Sequence, residues 1–118
     1  MTTQVLKRLC KLWQKRLRIS DWTISVSLVP LAEMGDAWGD TLYDPRQCVA
    51  EIRIALEHED SIYLDLGFEQ TLIHELLHIV MHGWVDYQHE DIMQERSINH
   101  IADALYWAYR PKRGKSDK

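Results

Sequence analysis

After Thr2 and Thr3, either of which can cap a helix, apolar side chains recur at Val5, Leu6, Leu9, Leu12, Trp13 and Leu17. Such near-helical spacing predicts an amphipathic helix to about Arg18, with its bases on the opposite face. Ser20-Asp21 breaks the pattern. Trp22, Ile24, Val26 and Leu28 then alternate with Thr23, Ser25 and Ser27, the period of a half-buried strand, which Pro30 ends. Residues 31–40 carry Gly35 and Gly39 and read as loop, with a short strand around Trp38–Tyr43. Asp44-Pro45 marks a turn. Val49 to Leu56 forms another strand, with Ile52, Ile54 and Leu56 on one side.

A mixed acidic stretch, 57–66, precedes Gly67 and a long apolar helical pattern from Phe68 to about His82, closed by Gly83. A loop over 86–90 leads to a last helix from about Glu90 to Tyr109, stopped by Pro111. Helix, two or three strands, helix, helix is the order of a small α+β domain over 1–110. Residues 111–118 read as a basic, disordered tail. The 118 residues suit one domain, and 46% apolar residues with five Trp and five Tyr can build a core.

Charge is unevenly laid out. Residues 1–20 hold six bases (Lys7, Arg8, Lys11, Lys15, Arg16, Arg18) and no acid, whereas residues 21–110 hold seventeen acids against four bases. An acidic body is a poor surface for phosphates, so nucleic acid is not an expected partner. The basic first helix reads as a packing helix with a wet face. Cys10 and Cys48 form neither a CxxC pair nor a disulfide framework, and free thiols fit a reducing compartment. No apolar run approaches the roughly 20 residues of a membrane span, and the N-terminus lacks the apolar stretch of a secretory signal. The expected location is the cytoplasm, without a membrane partner.

The segment His74-Glu75-Leu76-Leu77-His78 carries the chemistry. Residues four apart share a helix face, so both imidazoles can address one ion. Zinc takes imidazole nitrogens, and a catalytic site has three protein ligands plus water. Glu75 follows the first ligand and can take a proton from water whose pKa the metal has lowered. His82 continues the spacing but lies about 12 Å along the helix from His74 at 1.5 Å per residue, too far to share an ion readily. Glu95, on the last helix, is the better third ligand, with Glu90, Asp91 and His89 as lesser candidates. Asn99, one turn beyond Glu95, can orient a ligand histidine.

With Glu95-Arg96-Ser97-Ile98-Asn99-His100-Ile101-Ala102, the motif resembles a minimal gluzincin. In that clan the third ligand is a Glu on the following helix, and a polar residue four positions later supports the first His. The usual residue there is Asp, where this chain has Asn99; Glu95, Asn99 and Ala102 are similar to the glutamate-helix pattern of ImmA/IrrE-type peptidases. The layout from Trp22 through the motif also resembles small phage metallopeptidases. The resemblance covers roughly 20–110 and is specific only at the HELLH segment. It implies a zincin fold: an N-terminal helix, a short, mostly antiparallel sheet, an active-site helix and a C-terminal glutamate helix. It also implies a sheet edge that holds an extended peptide, for which Gln47 to Leu56 is the expected strand.

Peptide hydrolysis further needs a donor for the developing oxyanion. Tyr87 and His89, in the loop between the ligand helices, and Tyr106 are candidates, each with packing or surface placement as the commoner fate. Trp38, Trp84 and Trp107 read as core or rim aromatics. The expected function is a zinc-dependent endopeptidase with ligands His74, His78 and Glu95, general base Glu75, and a peptide or protein substrate. The alternative is a non-catalytic zinc-binding interaction module on the same fold; an intact Glu75 argues against it.

Overall fold

The structure is a computed structural model that describes residues 1–35, 37–57, 64–82 and 92–110, with the side chains of 64–66 and 92–94 left aside. Helix α1 spans Thr3–Arg16. The Thr2 hydroxyl accepts the Val5 N–H at 3.1 Å, satisfying one of the amides a helix start leaves open. Leu6, Cys10, Trp13 and Gln14 form its buried stripe, while Lys7, Arg8, Lys11 and Lys15 are exposed. The helix ends two residues earlier than expected, because Arg18 takes a left-handed φ of 63°. Buried Gln14 closes this turn by donating from Nε2 to the carbonyls of Ile19 (3.2 Å) and Trp22 (2.9 Å). Cys10 and Cys48 are free, and burial pushes the Cys10 thiol up to about 11.

Three strands follow: β1 (Thr23–Val29), β2 (Gly39–Asp44) and β3 (Val49–Ala55). Their order in the sheet is β1-β3-β2. β2 and β3 form an antiparallel hairpin, with Gly39 opposite Ile54 and Asp44 opposite Val49. β1 joins β3 in parallel, Thr23 opposite Val49 through Val29 opposite Ala55. The hairpin turns at the expected Asp44-Pro45, where Asp44 Oδ1 accepts the Arg46 N–H at 2.9 Å.

The expectation that Gln47 to Leu56 supplies a free sheet edge is corrected here. β3 is the central strand, hydrogen-bonded on both sides, so it has no edge to offer. Alternation along a strand reports which face is buried but not whether neighbours flank it. Leu56 also leaves the expected buried row: Ala50, Ile52 and Ile54 fill it, and Leu56 lies beyond the strand, exposed.

Helix α2 (Leu64–Val80) begins earlier than expected, with Gly67 inside its first turn rather than ahead of it. Helix α3 spans Ile92–Ala108. α2 packs against α1, α3, β2 and β3, which explains why its apolar residues run nearly all round. Phe68, Leu72, Ile73, Leu76, Leu77 and Ile79 join Leu6, Trp13, Val26, Ile52 and Ile54 in one core. α3 adds Ile98, Ala102 and Tyr106, spaced four apart on one face. The expected α+β class, with a small sheet backed by helices, is thus what the chain builds. Among the described residues no helix is long and apolar enough to cross a membrane.

Candidate metal centre

α2 and α3 are in antiparallel contact with a regular register. His78 meets Glu95, His74 meets Asn99 and Gln70 meets Asp103, so each step of four back along α2 is a step of four forward along α3. Beyond these rungs, Arg110 reaches back to the buried carboxylate of Glu69, which also accepts the Trp13 indole N–H at 2.6 Å. One helical turn per rung brings side chains of both helices together at the same heights.

At the upper rungs three groups converge. His74 Nε2 and His78 Nε2 are 3.2 Å apart. The Glu95 carboxylate straddles them, Oε1 at 3.0 Å from His74 Nε2 and Oε2 at 3.4 Å from His78 Nε2. Both imidazoles are largely buried, while Glu95 keeps 39% of its side-chain surface. Glu95 sits in the first turn of α3, where the helix dipole favours a negative charge.

The donor set determines what can sit between these atoms. Asn99 Oδ1 lies 2.8 Å from His74 Nδ1, and an amide oxygen can only accept, so this nitrogen carries the proton. In the neutral ring, Nε2 then points a bare lone pair at a carboxylate and at a second imidazole. A bare His74 lone pair facing a carboxylate is unfavourable without a proton or a cation between them, which the second imidazole or an ion can supply. The 3.2 Å between the two imidazole nitrogens is close to the ~3.3 Å edge of a tetrahedron whose centre-to-ligand bonds are about 2.0–2.1 Å, and one ligand atom from each of the three residues lies within 4.8 Å of the others. His74, His78 and Glu95 thus form a group able to hold a metal ion.

Glu75 follows His74 on α2 and is 5% exposed. Its Oε1 accepts the Thr41 hydroxyl at 2.6 Å. Thr41 is on β2, whose inward residues Gly39, Thr41 and Tyr43 run along Thr71 and Glu75 of α2 and His82 in the turn after it. Gly39 makes this close packing possible: a Cβ there would come within 2.6 Å of Thr71 Cγ2 and 3.1 Å of Glu75 Oε2.

Comparison with protein families, curated proteins and solved structures finds no match.

The remaining candidates separate cleanly. His82 is turned away from the three ligands: its Nδ1 donates to the Ile79 carbonyl at 2.6 Å, and its ring packs on Trp22 and Tyr43. Tyr106 is buried with Arg110 stacked on its ring at 4.0 Å. It lies eleven residues past Glu95, about 16 Å along the helix, which leaves it a packing residue. Trp38 and Trp107 are exposed. Tyr87, Trp84, His89, Glu90 and Asp91 fall outside the described residues.

Sequence reasoning missed Thr41 and Gly39. The signal was present as Gly39, Thr41 and Tyr43 at alternate positions, but a small polar residue on an inward face has no meaning until its partner across the layer is known. The Trp13–Glu69–Arg110 contact was missed for the same reason.

Proposed function

We infer that the chain is a zinc-dependent peptide hydrolase of gluzincin type, with Glu75 as general base. The observation that carries this reading is the convergence of His74, His78 and Glu95 from two helices, with the buried carboxylate of Glu75 next in the chain to the first of them. Two imidazoles and one carboxylate suit zinc, and the same set also occurs in non-haem iron sites. Glu75 favours the hydrolytic reading, because a proton acceptor adjacent to the ligands serves the activation of water.

Each residue then has a distinct task. His74, His78 and Glu95 hold the ion. Asn99 fixes the ring of His74 and its tautomer. When bound, zinc supplies Lewis acidity, polarising a carbonyl and lowering the pKa of water towards about 7. Glu75 takes the proton of the attacking water and returns it to the leaving amine. The substrate is an extended peptide laid along β2. Among the described residues that strand lies at the edge of the sheet, its inner face against Glu75 and Leu42 71% exposed on the other face.

The test is metal content and cleavage in parallel. Protein purified without chelators is expected to hold near-equimolar zinc and to cut a reduced, unfolded protein in a chelator-sensitive way. Glu75→Gln should keep the zinc and lose cleavage by at least about 10²-fold, the usual scale of general-base catalysis. Zinc binding without any cleavage by the wild type selects the non-catalytic interaction module instead. Iron at full occupancy, with zinc absent, removes the zinc assignment.

A further inference from the structure

We propose that Thr41 is a positioning residue for Glu75, aiming the carboxylate from the edge strand, and that Gly39 sets the strand-to-helix distance at which it does so. The proposal rests on Glu75 being the general base. It adds an element outside the ligand helices that governs this base.

A glutamate side chain has three rotatable bonds, and on a helix its carboxylate can sweep several ångströms. General-base catalysis requires the carboxylate within hydrogen-bond reach of the proton it abstracts, about 2.6–3.2 Å. The His74 ring is aligned by α2 and by Asn99, and the carboxylate of Glu75 is held from the sheet by Thr41. Its hydroxyl donates to Glu75 Oε1 at 2.6 Å and lies 3.5 Å from the Glu75 carbonyl oxygen. A hydrogen bond to an ionised oxygen is among the stronger kinds and fixes the carboxylate plane.

The hydroxyl can come this close only because β2 lies against α2 two residues earlier. At Gly39 the strand backbone passes so near Thr71 and Glu75 that any Cβ would collide with Thr71 Cγ2 at 2.6 Å. Strand alternation then turns Thr41 to the same face as Gly39. Strand β2 thus has two roles at one register: its open edge is where a peptide would add, and its inward face holds the base. Docking a peptide on that edge would stiffen the strand that aims Glu75.

The experiment compares the wild type with Thr41→Val, which keeps the shape and removes the donor, and Thr41→Ser, which keeps the donor. Zinc affinity is read by competition with a chromogenic chelator, and kcat and KM with a quenched-fluorescent peptide built on a site cut in an unfolded protein. Crystal structures of all three locate the Glu75 carboxylate. Thr41→Val should lose on the order of 10- to 100-fold in kcat, the cost of a misplaced catalytic group. Its KM and zinc affinity should stay within about twofold, since an interaction felt only in the transition state leaves binding alone. Thr41→Ser should recover most of the loss, and the carboxylate should move in the Val variant alone. A wild-type kcat in Thr41→Val, or a loss that Ser fails to rescue and that zinc affinity follows, overturns the proposal. A wild type that cuts nothing overturns the peptidase reading. The crystal structures then decide the positioning role alone: an unmoved Glu75 in Thr41→Val ends it, and a displaced one upholds it.

Discussion

At the scale of single residues, the site is defined by where protons are. Asn99 accepts from His74 Nδ1, and that one contact leaves Nε2 as the nitrogen able to ligate an ion. Asn99→Ala removes the acceptor without touching any of the three converging groups. The His74 ring then loses its orientation and tautomer preference, so zinc affinity should fall about 10- to 100-fold, the usual effect of losing such a partner. Competition with a chromogenic chelator measures it; unchanged affinity would mean that α2 alone orients the ring. Asn99→Asp should retain or strengthen binding, because a carboxylate is the better acceptor. His74 and His78 were legible in the sequence, because a helix converts a spacing of four into a shared face, and Glu75 was legible as the residue that follows the first of them in the motif. Glu95 and Asn99 were legible as candidates, since they share the same spacing on the following helix. Thr41 was not, since its role exists only across 34 positions of chain.

At the scale of elements, the buried faces were legible and the neighbours were not. The stripe of α1, the alternation of β1 and the apolar run of α2 each follow from a period that a short window reveals. The central place of β3 does not, because Ala50, Ile52 and Ile54 would be buried equally in an edge strand packed on a helix. Strand order here depends on β1 pairing with β3 across the whole hairpin, a non-local choice that leaves no mark in either strand. The approach of β2 to α2 is also non-local, and Gly39 tests it directly. Gly39→Ala places a methyl group 2.6 Å from Thr71 Cγ2, so strand or helix must shift. Overpacking of this kind costs roughly 1–3 kcal/mol. The alanine variant should unfold at a lower urea midpoint with an unchanged m-value. In a Thr71→Ser background, which removes the opposing methyl group, much of the loss should return. An undiminished midpoint in Gly39→Ala would show that β2 does not lie so close in solution.

At the scale of the whole molecule, the metal group is one of several ties between α2 and the last helix among the described residues. The others include His74 with Asn99, Gln70 with Asp103 and, just past the end of α3, Arg110 with Glu69, backed by Ile98, Ala102 and Tyr106 in the core. The apolar contacts are enough to bring the helices together before any ion arrives, so the protein should fold without metal and be stabilised by it. Because an ion held by both helices binds the folded chain far better than the unfolded one, zinc at 100 times its Kd should add about 2.7 kcal/mol. For a chain of this size that is a rise in Tm of roughly 10 °C. Differential scanning calorimetry with and without zinc measures the shift. Glu75→Gln should show the full rise, since Glu75 is not among the three converging groups. Glu95→Ala should lose most of it while its metal-free Tm changes little, because a carboxylate 39% exposed contributes on the order of 1 kcal/mol or less. If Glu95→Ala gains as much from zinc as the wild type does, the ion is held by α2 alone. The register between the two helices would then be a matter of packing rather than of metal binding.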